Sequence, residues 1–161
     1  MAGTHRARVE ALLTEAAEAH GQLVAGLPPA LAASLPVDAQ GITQAIDHLA
    51  AAAGFSESER RALLRPHAVN PAVMHARVFG GAPLARETVI ASFVEGARVR
   101  ADALGAIADA VGVGAAVRSV LVAPPPPTGE GADAVAALRE TYAAQERAAV
   151  LIAAGLDGAS G

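Results

Sequence analysis

Alanine dominates this sequence, with 43 of its 161 residues, whereas the aromatic residues are three Phe, one Tyr and no Trp. Alanine favours helix but buries little area, so the core must depend on Leu, Val and Ile, at about 1.5–3 kcal/mol for each buried side chain. A chain of this length can bury one core of its own. We therefore expect a helical protein whose helices pack closely, or one that gains buried area as a homo-oligomer.

Apolar residues recur at intervals of three and four along most of the chain, which is the period of an amphipathic helix. The predicted helices cover residues 6–25, a segment from the cap Asp38 to Gly54, a short segment opened by Ser56, and residues 71–79, 84–111, 116–122 and 133–155. Ser56 and Glu59 have the spacing of a capping box at the start of the short helix. Residues 123–132 contain four consecutive prolines and predict an extended spacer, and residues 1–5 and 157–161 are expected to fray.

The sequence thus predicts an all-α fold, with residues 1–161 forming a single-domain bundle of five to six helices of unequal length. Residues 84–111 are expected to be the long central helix, and the C-terminal helix follows a Pro-rich crossover. A spacer of this kind would also allow the last helix to swap onto a second copy of the chain, so a homodimer is one possible assembly.

Two absences exclude several kinds of chemistry. The chain has no Cys, which excludes disulfides, thiol nucleophiles and cysteine metal sites. All twelve basic residues are Arg, so Schiff-base catalysis and a phosphate loop with its lysine are excluded, although residues 112–119 read GVGAAVRS. We interpret that stretch as a junction between helices.

The start of the chain is charged from its fifth residue and lacks the apolar core of a secretory signal, so a cytoplasmic location is expected. The longest uncharged run lies between Glu18 and Asp38 and contains three prolines, which a membrane span of about 20 apolar residues would not. The sequence therefore predicts no membrane association.

Five histidines raise the question of metal binding, but the spacings Glu-x-x-His and His-Glu-x-x-His are both missing. We expect no metal and no cofactor. An enzyme remains an alternative, with His48 or His75 acting together with Asp47 or Glu95 inside the bundle.

Two motifs resemble known devices. Residues 50–64, AAAAGFSESERRALL, resemble the helix-turn-helix of bacterial repressors, which makes a DNA-binding regulator using residues 42–65 a further alternative. However, Glu57 and Glu59 would face phosphates, and the net charge of −4 makes nucleic acid an improbable partner. Tyr142 and Glu146 are similar to the tyrosine-acid export signal of small type VII secretion substrates, or form an ordinary helix-surface pair.

The most unusual feature is a basic segment without acids. Between Glu59 and Glu87 there is no Asp or Glu but five arginines, whereas the rest of the chain holds seven arginines and all sixteen acids. Such a segment either docks against the acidic remainder or binds an anionic small molecule or a protein partner. Our leading hypothesis is a non-catalytic binding or interaction module that uses Arg60, Arg61, Arg65, His67, His75 and Arg77.

Overall fold

The computed structural model describes residues 3–26, 40–64, 86–124 and 131–160, which form six helices and no strand. The helices are α1 (Thr4–Ala25), α2 (Gln40–Ala52), α3 (Glu57–Leu64), α4 (Arg86–Val111), α5 (Gly114–Val120) and α6 (Gly131–Ser160). The predicted all-α bundle of unequal helices is confirmed. The predicted helix at 71–79 and most of the proline spacer lie outside the described residues.

The turn between α2 and α3 is built as its sequence predicts. Gly54 ends α2 with a φ of +96°, a left-handed conformation that glycine adopts without strain. The Ser56 hydroxyl then accepts the N–H of Glu59 at 3.2 Å, and the Glu59 carboxylate accepts the N–H of Ser56 at 3.1 Å. These two bonds are the predicted capping box, and they lower the pKa of Glu59.

Residues 112–119 form a junction between two helices, as predicted. Gly112 has a φ of +90° and ends α4, and α5 starts two residues later. The guanidinium of Arg118 donates to both carboxylate oxygens of Asp109 at 2.6 and 2.7 Å across this junction. The pair lowers the pKa of Asp109 and raises that of Arg118.

The two longest helices form the centre of the bundle. Helix α4 packs along α6, α6 also contacts α1, α2 and α5, and α3 packs against α4 and α2. Helix α6 has 30 residues and is longer than α4, which has 26. The central position predicted for residues 84–111 is therefore shared by α4 and α6. The largest fully buried aliphatic side chains come from five of the helices: Val9, Ile46, Leu49, Val94, Leu104, Ile107, Val117, Leu138 and Ile152.

Both ends of the described chain are more ordered than the sequence suggests. Helix α1 begins at Thr4, and α6 continues past Gly155 to Ser160. The reason is tertiary: Leu156 and Asp157 are buried, and the Asp157 carboxylate accepts the backbone N–H of His5 at 2.8 Å and of Arg6 at 3.0 Å. The last turn of α6 thus caps the first turn of α1.

Candidate functional site

The structure describes two of the six predicted binding residues. Arg60 and Arg61 lie on α3, whereas Arg65, His67, His75 and Arg77 lie outside the described residues. The arrangement of the complete basic segment therefore stays a prediction.

Arg60 is engaged within its own chain. Its Nε donates to Asp47 on α2 at 3.0 Å, and its Nη1 donates to the Phe55 carbonyl at 3.0 Å. Only 24% of the Arg60 side chain is exposed. Arg60 therefore connects α3 to α2 and to the turn that follows α2. This contact is what we expect if the basic segment docks against acidic groups of its own chain.

Arg61 is placed differently, because it projects into solvent. It pairs with Glu57 one turn earlier at 2.6 Å, and the two side chains are 79% and 70% exposed. A surface pair of this kind contributes about 0–1 kcal/mol, so an incoming anion can displace Glu57 at little cost. Of Arg60 and Arg61, Arg61 is therefore the one that an external ligand can reach.

A buried polar cluster outside the predicted binding residues lies between α4 and α6. Arg100 on α4 is 2% exposed, and its Nη2 donates to the Tyr142 hydroxyl at 2.7 Å. Its Nε donates to Gln145 Oε1 at 3.4 Å, and Gln145 Nε2 donates to the Ala97 carbonyl at 2.8 Å. The Arg100 guanidinium carbon also lies 4.9 Å from the centre of the Tyr142 ring, a cation–π distance.

The cluster holds a positive charge with neutral partners. Burial lowers the pKa of Arg100, and Tyr142 acts in the opposite direction. Arginine nevertheless keeps its proton in proteins, so its charge is stabilised here by a hydroxyl, an amide and a ring face. Within the described part of the chain, no carboxylate forms an ion pair with it.

The sequence did contain a signal for this cluster. Arg100 lies three residues after Ala97 and four before Leu104, both buried, so it shares the apolar face of α4. Tyr142 and Gln145 likewise follow Leu138 at intervals of four and seven residues on the last helix, and all three are buried. The interpretation of Tyr142 and Glu146 as a helix-surface pair is therefore wrong, because Tyr142 is only 2% exposed.

A second polar contact joins α1 to α2. His5 Nδ1 and His48 Nε2 are 3.1 Å apart, and the ring centres are separated by 5.3 Å. Burial lowers the pKa of His48, His5 and Arg8 lower it further, and Asp47 opposes them. The ring of His48 therefore favours its neutral form.

Each described residue proposed for an enzymatic alternative contacts a partner outside the proposed pairs. Asp47 binds Arg60, His48 contacts His5, and Glu95 pairs with Arg98 on its own helix at 3.4 Å. His75 lies outside the described residues. In the part of the chain that is described, no three His, Asp or Glu side chains are grouped as metal ligands would be.

The region that resembles a helix-turn-helix does consist of two helices and a turn, α2 and α3. Glu57 and Glu59 are exposed on α3, and no residue of that helix is buried. Helix α3 therefore presents carboxylates where a recognition helix needs positive or neutral side chains.

Comparison with known proteins gives no relative: neither family models, nor curated proteins, nor solved structures match this chain. None of the helices in the described ranges is long and apolar enough to cross a membrane.

Proposed function

We propose that this protein is a non-catalytic helical binding module that recognises an anionic group, on a small molecule or on a protein partner, through its basic segment. The observation that carries the proposal is the charge distribution: five arginines and no acid between Glu59 and Glu87, in a chain with sixteen acids elsewhere. A concentrated positive charge attracts anions, and guanidinium groups hold carboxylates and phosphates with paired hydrogen bonds.

Arg60 and Arg61, the arginines of this segment whose side chains the structure describes, support a division of labour within it. Arg60 is half-buried against Asp47 and the Phe55 carbonyl, so we assign it to holding α3 in place. Arg61 is exposed and only weakly held by Glu57. Ligand contacts are therefore assigned to Arg61 together with Arg65, Arg77 and the two histidines His67 and His75.

The proposal predicts that replacing Arg61, Arg65 and Arg77 with glutamine abolishes stabilisation by anions. The probes are inorganic pyrophosphate, representing a small anion, and a polyglutamate peptide, representing an acidic partner. A probe present at about 100 times its Kd should raise the free energy of unfolding by about 2.7 kcal/mol in the wild type. Thermal unfolding with and without each probe measures the effect.

A matched control keeps the same loss of charge but leaves the basic segment intact. Replacing Arg6, Arg98 and Arg139, all exposed on other helices, also removes three positive charges. This control should keep the stabilisation. If neither probe stabilises the wild type, or if the stabilisation survives in the Arg61, Arg65 and Arg77 variant, the basic segment is a connector. Light scattering on the same samples shows whether a second copy of the chain supplies the acidic partner.

A further inference from the structure

The contact between His5 and His48 depends on a single shared proton. Their ring nitrogens are 3.1 Å apart, so one nitrogen must carry the proton and the other must accept it with a lone pair. When both imidazoles are protonated, two N–H donors and two positive charges face each other at this distance. The hydrogen bond is then lost and replaced by repulsion.

We propose that the His5–His48 contact is an acid-sensitive clamp that holds the first turn of α1 against α2 and releases it when both rings are protonated. Both rings are half-buried, and they come from helices that pack along each other. The clamp acts beside the proposed ligand segment, because the residue next to His48, Asp47, holds Arg60 of α3. The inference stands on the ring geometry alone and is independent of the proposed function.

The charged groups around the rings support a response to mild acid. On α1, Arg8 adds a positive charge, whereas Asp47 on α2 and Asp157 on α6 are negative. Burial, His5 and Arg8 together outweigh Asp47 and hold the pKa of His48 below its ordinary value of 6.5. A histidine whose pKa is lower in the folded protein than in the unfolded chain stabilises the fold at pH values above its unfolded pKa. This stabilisation is lost as the pH falls from about 6.5 through the folded pKa.

The cap on the same turn responds only to stronger acid. Desolvation raises the pKa of Asp157, but the N–H groups of Arg6 and His5, and the charge of His5, outweigh it and leave the pKa below 3.8. The stability that the ionised Asp157 carboxylate contributes is therefore present at pH values above its unfolded pKa. It is lost only as the pH falls through the lower pKa of the folded state. As the pH falls below about 6.5, the ring contact is therefore expected to open before Asp157 stops capping α1.

The test compares the wild type with a variant that keeps the contact but cannot be protonated. An asparagine amide can take the place of Nδ1 in His5→Asn, and a glutamine amide can take the place of Nε2 in His48→Gln. Hydrogen exchange, corrected for the intrinsic effect of pH, is measured at pH 7.5 and 5.5 on residues 7–9, because Asp157 holds the N–H groups of His5 and Arg6. His20→Gln is the control, because His20 lies about four turns further along α1.

We expect the wild type and His20→Gln to lose protection in the first turns of α1 several-fold on going to pH 5.5, with little change in α4 and α6. The double variant should show no such loss. Equal losses in the wild type and the double variant would overturn the proposal.

A titration of the wild type by NMR needs no variant and tests the same contact. If the clamp exists, the ring of His48 takes up its proton below the ordinary histidine range, because burial, His5 and Arg8 lower its pKa. Titration of the His48 ring at the ordinary histidine value would contradict it.

Discussion

Replacing Gly41 with alanine is expected to lower the free energy of unfolding by about 1–3 kcal/mol, although alanine is the better helix former. Gly41 lies where α2 crosses α1, and a methyl group there would be 2.6 Å from the Cβ of Ala16 and 3.5 Å from the Leu12 carbonyl. Neither group is the flexible end of a long side chain. The two helices must therefore move apart to accept the methyl group.

Urea unfolding of two further variants isolates the steric cause. At Gly21, on α1, an added methyl group meets nothing within 4 Å, so Gly21→Ala should stabilise the protein by about 0.5–1 kcal/mol. Ala16→Gly should partly rescue Gly41→Ala, because it removes the methyl group on the other side of the contact. If Gly41→Ala stabilises the protein as much as Gly21→Ala does, α1 and α2 do not approach each other closely at Gly41.

Replacing Tyr142 with phenylalanine is expected to cost about 1–3 kcal/mol, because the buried Arg100 loses the acceptor of its shortest hydrogen bond. The ring and its cation–π contact remain in this variant, so the change isolates the hydroxyl, which lies 2.7 Å from Arg100 Nη2. The loss should appear as a lower urea midpoint with an unchanged denaturant slope.

Replacing Arg100 itself gives a different expectation. Arg100→Met removes the buried charge together with its need for acceptors and keeps a flexible apolar side chain, so it should be less damaging than Tyr142→Phe. In the Arg100→Met background, Tyr142→Phe should then cost clearly less than in the wild type. Additive losses in this double-mutant cycle would show that the two residues are not coupled.

Local sequence signals predicted the helices well because helix starts and stops depend on neighbouring residues. Ser56 and Glu59 form the predicted reciprocal cap, and Gly54 and Gly112 end their helices. The assignment of residues 116–122 to a helix is confirmed by α5 as far as Val120, despite its β-branched residues, because Val117 is fully buried in the bundle. In these places the preferences of the local sequence and the tertiary packing agree.

The candidate site was less predictable because it depends on which residues face each other across helices. The sequence identifies Arg60 and Arg61 as equivalent members of one basic segment. The structure gives the two arginines different partners. Arg60 binds Asp47, thirteen residues earlier, whereas Arg61 pairs with Glu57, four residues earlier. The partners of Arg100 are 42 and 45 residues away, and those of His5 are 43 and 152 residues away.

The sequence by itself determined the all-helical class, most of the helix boundaries and the uneven distribution of charge, because periodicity, caps and composition act over a few residues. The tertiary structure alone decided which polar groups are buried and what they contact. It placed Arg100 in the core with neutral partners, joined His5 to His48, and ordered the last turn of α6 by making Asp157 the cap of α1. Such pairings depend on how the helices pack, which the periodicity of any one helix does not specify.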